Sequence, residues 1–194
     1  LFSGRIIRRK GLHLAIEAFL DIAEANDHVW LLVAGASPKH FGLGAKTEES
    51  IRKTDRIAFA LRMPHPRIIY LGPVNMKVMP LYYASSDVAI VPSDWEDPCP
   101  LTCAEAQASA IPVLGTARGG IPDSVIHGKT GLICQPDVKD IRRNMIRLIK
   151  DKNLVKSLSK NARKRAMRRL DWNLVADSIR SLYQTTVAEK PRRL

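Results

Sequence analysis

Short apolar runs alternate with amphipathic stretches over the first two thirds of the chain. The runs at residues 29–34, 67–71, 88–91 and 111–114 are flanked by Gly, Pro, Ser or Asp and are too short for helices. They read as strands buried on both faces, the signature of a parallel sheet. Residues 1–4 and 130–134 supply outer strands of the same sheet. Between the runs, apolar residues recur at helical spacing: Leu12, Ile16, Phe19 and Ala23; Ile51, Ile57, Ala58 and Leu61; Leu101, Ala104 and Ala108. Strand and helix in regular alternation imply right-handed βαβ crossovers, hence an α/β fold with a Rossmann-like, doubly wound parallel sheet and helices on both faces. Three helices then close the chain, over 138–150, 153–169 and 173–188.

Composition narrows the class. The 194 residues, 45% hydrophobic and 26% charged, suffice for one sizeable core, and no internal repeat or low-complexity linker divides residues 1–194 into more than a single domain. No apolar run approaches the roughly 20 residues that span a bilayer, and Leu1-Phe2-Ser3-Gly4-Arg5 carries no basic stretch ahead of an apolar one. The expectation is a cytoplasmic protein, with a peripheral position on the inner face of the membrane as the variant of it. Cys99, Cys103 and Cys134 are odd in number and lack metal-ligand spacing, which points to free thiols in a reducing compartment.

The net charge of +12 is confined to one region. Residues 139–194, a basic helical segment, hold 17 Lys and Arg against 5 Asp and Glu, whereas residues 1–138 hold 14 of each. Leu154, Leu158, Ala162, Ala166 and Leu170 form the apolar stripe there, and Lys156, Lys160, Arg163, Lys164 and Arg168 stand off it. A solvated helix face, an anionic membrane surface and nucleic acid are the readings that this pattern allows. Nucleic acid fits least, because no aromatic stacking platform is interleaved with the cations and no specific nucleic-acid partner is expected.

In an open α/β sheet, ligands bind beyond the carboxyl ends of the strands. Four loops take that position: 4–11, 35–46, 92–102 and 115–122. The first places Arg5 and Lys10 around a glycine-bounded turn, a fork and a point charge suited to a diphosphate. The third places Asp97 in the loop and Glu105 about one turn into the next helix, where carboxylates can accept hydroxyl hydrogen bonds. Asp97 as a helix cap and Glu105 as a buried structural acid are the alternatives. Gly119 and Gly120 precede Pro122 in the fourth loop, either for close approach of backbone to a ligand or as ordinary turn chemistry. His13, His28, His40, His65 and His127 are isolated and read as loop or surface residues.

Taken in order, these pieces resemble the C-terminal domain of the retaining GT-B glycosyltransferases, the group 1 type that includes sucrose and glycogen synthases and many lipid-linked mannosyl- and glucosyltransferases. Gly4-Arg5 with Lys10-Gly11 is similar to that family's G-R-x-x-x-x-K-G, and Leu71-Gly72-Pro73-Val74 to its F-L-G-x-V. Asp87-Val88 through Pro92-Ser93 resembles A-D-V-x-x-x-P-S, and Asp97 to Glu105 resembles E-x-x-x-x-x-x-x-E. Ile111-Pro112-Val113, Arg118 through Asp123 and His127 through Gly131 stand where G-x-P-V, G-G-x-x-E and D-G-x-x-G occur. The likeness covers nearly the full chain.

The resemblance implies a donor-binding domain for a nucleoside-diphosphate sugar, with Arg5 and Lys10 on the diphosphate, Asp97 on the hexose hydroxyls and Glu105 on the ribose. Gly4 and the run Cys99, Pro100, Leu101 and Thr102 complete the donor cradle, and backbone around Gly72, Val74 and Asn75 reads the base. No metal ion and no other cofactor is implied. The partner is an N-terminal acceptor-binding domain absent from this chain, which is therefore expected to bind donor without turning it over. Four departures stand out. Asp97 replaces Glu, with Glu96 as a substitute if the loop bulges; Pro100 replaces a glycine and loses its N–H; Ala110 replaces the glycine before Ile111; and the loop from Gly35 through Ala45 is longer than the family's G-x-G turn. Asp97, Pro100 and the absent domain keep open a non-catalytic nucleotide-sugar-binding subunit.

Overall fold

The computed structural model describes residues 1–36 and 65–188. The helix expected around residues 51–61, His40 and most of the loop 35–46 lie outside the described residues. Among the described residues six strands, β1 (Phe2–Ser3), β2 (Leu31–Ala34), β3 (Ile68–Gly72), β4 (Ala89–Val91), β5 (Val113–Thr116) and β6 (Gly131–Cys134), form one sheet in the order β3-β2-β1-β4-β5-β6. All pairings are parallel. The helices are α1 (Leu12–Glu24), α2 (Met79–Ala84), α3 (Leu101–Ala108), α4 (Ile121–Ser124), α5 (Val138–Lys150), α6 (Lys152–Arg169) and α7 (Trp172–Ala188).

Two apolar layers sandwich the sheet. Leu12, Ile16 and Phe19 of α1 pack with Ile141, Met145 and Leu148 of α5 and Leu158 of α6. On the other face Tyr83 of α2, Cys103 and Ala106 of α3, and Ile121 of α4 pack with Ala89, Val91 and Val113. The helices α5 and α6 start on acidic caps: Asp137 accepts the Asp140 amide at 2.9 Å and Asp151 accepts that of Leu154 at 2.8 Å. Each such cap contributes about 1 kcal/mol. α6 bridges the two layers, since Leu158 lies in the first while Arg163 and Arg165 donate to the Ala108 and Asp123 carbonyls at the ends of α3 and α4. Cations on the last carbonyls of helices also oppose their dipoles. Among the described residues no helix is long and apolar enough to cross a membrane.

Two elements depart from the reading of the sequence. β3 is not fully buried; Ile69 and Tyr70 are 40% and 41% exposed, because β3 has a single partner strand among the described residues. An apolar run does not reveal whether it lies centrally or at an edge. The helix α2 carries no periodic signal at all. It is six residues long, and begins on a turn in which the Asn75 carbonyl accepts the Val78 and Met79 amides and its Oδ1 that of Lys77 at 2.9 Å.

Ala110 accounts for one departure from the family pattern. At the end of α3 the Ala110 amide donates to Gln107 and the Ile111 amide to Ala106, a Schellman closure whose central residue has φ 60°. Glycine takes that conformation freely, whereas a Cβ costs about 1 kcal/mol.

Candidate functional site

Strand order reverses between β1 and β4, so the loops that leave their carboxyl ends diverge around a crevice. The loop after β1 is pinned to the loop after β4. Gly11, at φ 70°, fits so closely that a Cβ there would stand 1.7 Å from the Pro92 carbonyl oxygen. The Asp94 amide donates to the Arg9 carbonyl at 2.9 Å, and the Arg9 guanidinium lies 4.4 Å above the Trp95 ring. Lys10 Nζ meets Asp97 Oδ2 at 2.5 Å, with side chains 22% and 7% exposed, and Ser93 Oγ donates to the same oxygen at 3.4 Å.

Asp97 is thus held by a cation and a hydroxyl, and it does not cap α3. That helix starts on Pro100, which is buried and caps without any side-chain bond.

The loop after β5 clamps the Asp97 segment from the other side. Gly120 donates its amide to the Asp97 carbonyl at 2.8 Å, and Gly119 donates to Glu96 Oε2 at 2.5 Å. A Cβ on Gly119 would fall 2.4 Å from the Asp97 carbonyl oxygen, and one on Gly120 2.1 Å from that of Pro98. The paired glycines therefore serve contact between loops. Glu96, held by the Gly119 amide and 3.7 Å from Arg118, faces this second clamp.

Glu105 is exposed and accepts the Tyr83 hydroxyl at 2.8 Å, so it is not a buried acid. Tyr83 itself is 2% exposed. Its burial pushes the phenol above its ordinary range, with Ser3 and Glu105 as smaller influences. Ser3, the last residue of β1, also gives its carbonyl to Thr102 Oγ1 at 3.3 Å, which ties the start of α3 to the sheet beneath the crevice. Neither Ser3 nor Tyr83 was suggested by the sequence. Tyr83 sits on the aperiodic α2, and the only available signal was the Tyr82-Tyr83 pair between two strands.

Arg5 is exposed and pairs with no acid among the described residues. It follows Gly4, whose φ of 148° demands glycine and whose missing Cβ would meet only Phe2, at 4.0 Å. Beside the tightly packed Gly11 and Gly119, Gly4 is open ground. The base-side residues connect to it through backbone. The Gly72 carbonyl accepts the Gly35 amide at 2.8 Å, and a Cβ on Gly35 would lie 1.8 Å from the Gly4 carbonyl oxygen. Val74 packs against the second apolar layer, and Asn75 is committed to the turn that starts α2. Cys99 and Leu101 are exposed at the mouth, whereas Cys103 and Cys134 are buried thiols that burial pushes up to about 12.

The structure therefore brings Arg5, Lys10, Asp97, Thr102 and Glu105 to one end of the sheet. His127 and His65 have local tasks: their Nδ1 atoms accept the Ile133 and Arg67 amides at 3.0 and 3.2 Å. Among the described residues no group of three His, Cys, Asp or Glu side chains stands close enough to hold a metal ion. A separate apolar hollow of about 400 Å³, lined by Leu1, Trp30, Val88 and Leu148, lies at the amino ends of the strands.

A family model described as glycosyl transferases group 1 matches residues 1–165. The capsular polysaccharide biosynthesis glycosyltransferase CapM of Staphylococcus aureus is 29% identical over 97% of this chain and 46% of its own length. The sucrose-phosphate synthase of Thermosynechococcus elongatus superposes with a TM-score of 0.80 at 27% identity, over 97% of this chain and 45% of that one. HepE of Anabaena, solved in complex with UDP, shares the fold with a TM-score of 0.78 at 20% identity, over 95% of this chain and 48% of its own. The chain thus spans slightly under half the length of these relatives. With the switch-point crevice and the match over most of its length, the chain belongs to the group 1 glycosyltransferase family, as a GT-B-type Rossmann-like domain.

Proposed function

We propose that this chain is the donor-binding half of a retaining hexosyltransferase, acting on a nucleoside-diphosphate sugar together with an acceptor-binding domain. The observation that carries the reading is the contact between Lys10 and Asp97, which joins the loops after β1 and β4 beside the open Gly4-Arg5 turn. Lys10 exchanges its carboxylate for the donor diphosphate and shares it with Arg5. Asp97, released, accepts hexose hydroxyls, and Glu105, oriented by Tyr83, accepts those of the ribose.

The C1–O bond to the diphosphate breaks with its electron pair passing to the nucleoside diphosphate. The two cations stabilise that developing charge, a role that preorganised groups fill without a metal. The acceptor oxygen bonds to C1 from the vacated face, and its proton passes to the leaving diphosphate, so configuration is retained. The UDP complex of HepE supports a uridine nucleotide as the first donor to try.

Calorimetric titration with UDP, GDP and ADP, then with their sugars, tests the reading. One of the three should bind, and Arg5→Ala and Lys10→Ala should each weaken it about tenfold or more, since a charge-assisted contact contributes about 1.5–3 kcal/mol. Unchanged affinity in both variants rejects the site. Sugar transfer by a longer chain that carries an acceptor domain would dispose of a purely non-catalytic binding role.

A further inference from the structure

The basic segment is not absorbed by the donor site. Lys152–Arg169 contains no Asp or Glu, and its buried row is Leu158, Ala162 and Ala166. Of its cations, Arg163 and Arg165 are engaged with helix-end carbonyls. On the solvent side Lys156, Lys160, Lys164 and Arg168 follow one another at single-turn spacing, all exposed and none paired with an acid among the described residues. Like charges at i, i+4 destabilise a helix. An ordinary solvated face would relieve this with interspersed acids, as Asp177 does for Arg180 on α7.

Apolar groups stand where the row ends. Met167, one turn past Lys164, is 51% exposed, and Trp172, which opens α7, is 84% exposed. A polybasic row next to an exposed indole and thioether suits a bilayer surface, where cations meet anionic headgroups and amphipathic rings settle at the interface. A single-stranded nucleic acid would instead call for aromatics interleaved with the cations, and α6 has no aromatic residue. We infer that the exposed face of α6 docks the domain on an anionic lipid bilayer, with Lys156, Lys160, Lys164 and Arg168 on the headgroups and Met167 and Trp172 in the interfacial layer.

The test is co-sedimentation of the chain with vesicles of phosphatidylcholine alone or mixed with phosphatidylglycerol. It is run at ionic strengths of about 0.1 M and about 1 M, where the screening length falls from about 10 to 3 Å. Binding should require phosphatidylglycerol and disappear at high salt. The quadruple variant K156Q/K160Q/K164Q/R168Q should lose roughly a hundredfold or more in partitioning. Because these side chains lie outside the donor crevice, its affinity for UDP should match the parent's, which separates failure of this inference from failure of the donor reading. Trp172→Ala should weaken vesicle binding while keeping the salt dependence. Equal binding to neutral vesicles, parental binding by the quadruple variant, or tighter binding to an oligonucleotide than to anionic vesicles would each overturn the inference.

Discussion

Breaking the contact between Lys10 and Asp97 from either side should have unequal consequences. At 2.5 Å the attraction is about 7 kcal/mol for an effective dielectric near 20, before desolvation is subtracted. Lys10→Met leaves a carboxylate only 7% exposed, with Ser93 at 3.4 Å as its remaining side-chain partner. Stranding a buried charge in this way costs about 3 kcal/mol. Asp97→Asn leaves an ammonium 22% exposed at the rim, which can turn outward into water, and should cost about 1 kcal/mol. With both changes, no charge is stranded, and the double variant should resemble Asp97→Asn alone, a coupling of about 2–3 kcal/mol.

The same cycle read by UDP calorimetry should differ in sign. Lys10→Met removes a diphosphate ligand and weakens binding, whereas Asp97→Asn frees Lys10 and removes a nearby negative charge, which tightens binding several-fold. Urea unfolding and titration on the four proteins provide the measurement. Additivity within about 0.5 kcal/mol, or equal loss of UDP affinity in the two single variants, would refute the reasoning.

Ala110→Gly should stabilise the fold by up to about 0.5 kcal/mol, relief of φ 60° outweighing the greater freedom of glycine in the unfolded chain; a lowered urea midpoint would contradict it. Gly119→Ala should cost about 2 kcal/mol or more and weaken UDP binding, because its methyl collides with the Asp97 backbone from a φ of 49°. Wild-type stability in that variant would refute the clamp. Cys103 and Cys134 should make the fold alkali-sensitive. Their thiols titrate near 12 when folded against a usual 9.0, so the unfolded chain holds fewer protons above pH 9, and stability falls from there towards pH 12. The slope is about 1.4 kcal/mol per pH unit for each thiol. Urea midpoints across this range should flatten in Cys134→Ser; unchanged pH dependence would count against it.

The architecture was largely legible because parallel strands buried on both faces announce themselves as bare apolar runs, and the three C-terminal helices carry long amphipathic periods. The short α2 was not. Six residues that include Pro80 give no period, and its start is dictated by the Asn75 turn. In the site, Arg5, Lys10, Asp97 and Glu105 could be named because their spacing around loops survives in a linear reading. What spacing could not convey is who faces whom. The pairing of Lys10 with Asp97, the approach of Gly119 to the Asp97 backbone, and the support of Glu105 by Tyr83 are contacts made only when separate strands align. Ala110 shows the converse: its oddity was visible in the sequence, and its left-handed backbone supplies the reason.

Lys10 and Asp97 are separated by 87 positions along the chain, and β1 and β4 beneath them share a single register pair, Phe2 with Ile90. The two wings of the sheet are joined there by a narrow seam. A molecule that grips both rims acts as a clasp across it, adding stability that grows with the logarithm of its concentration above the dissociation constant. Slowed amide exchange on nucleotide addition should accordingly be concentrated along this join, and donor occupancy should decide how firmly the two wings hold together.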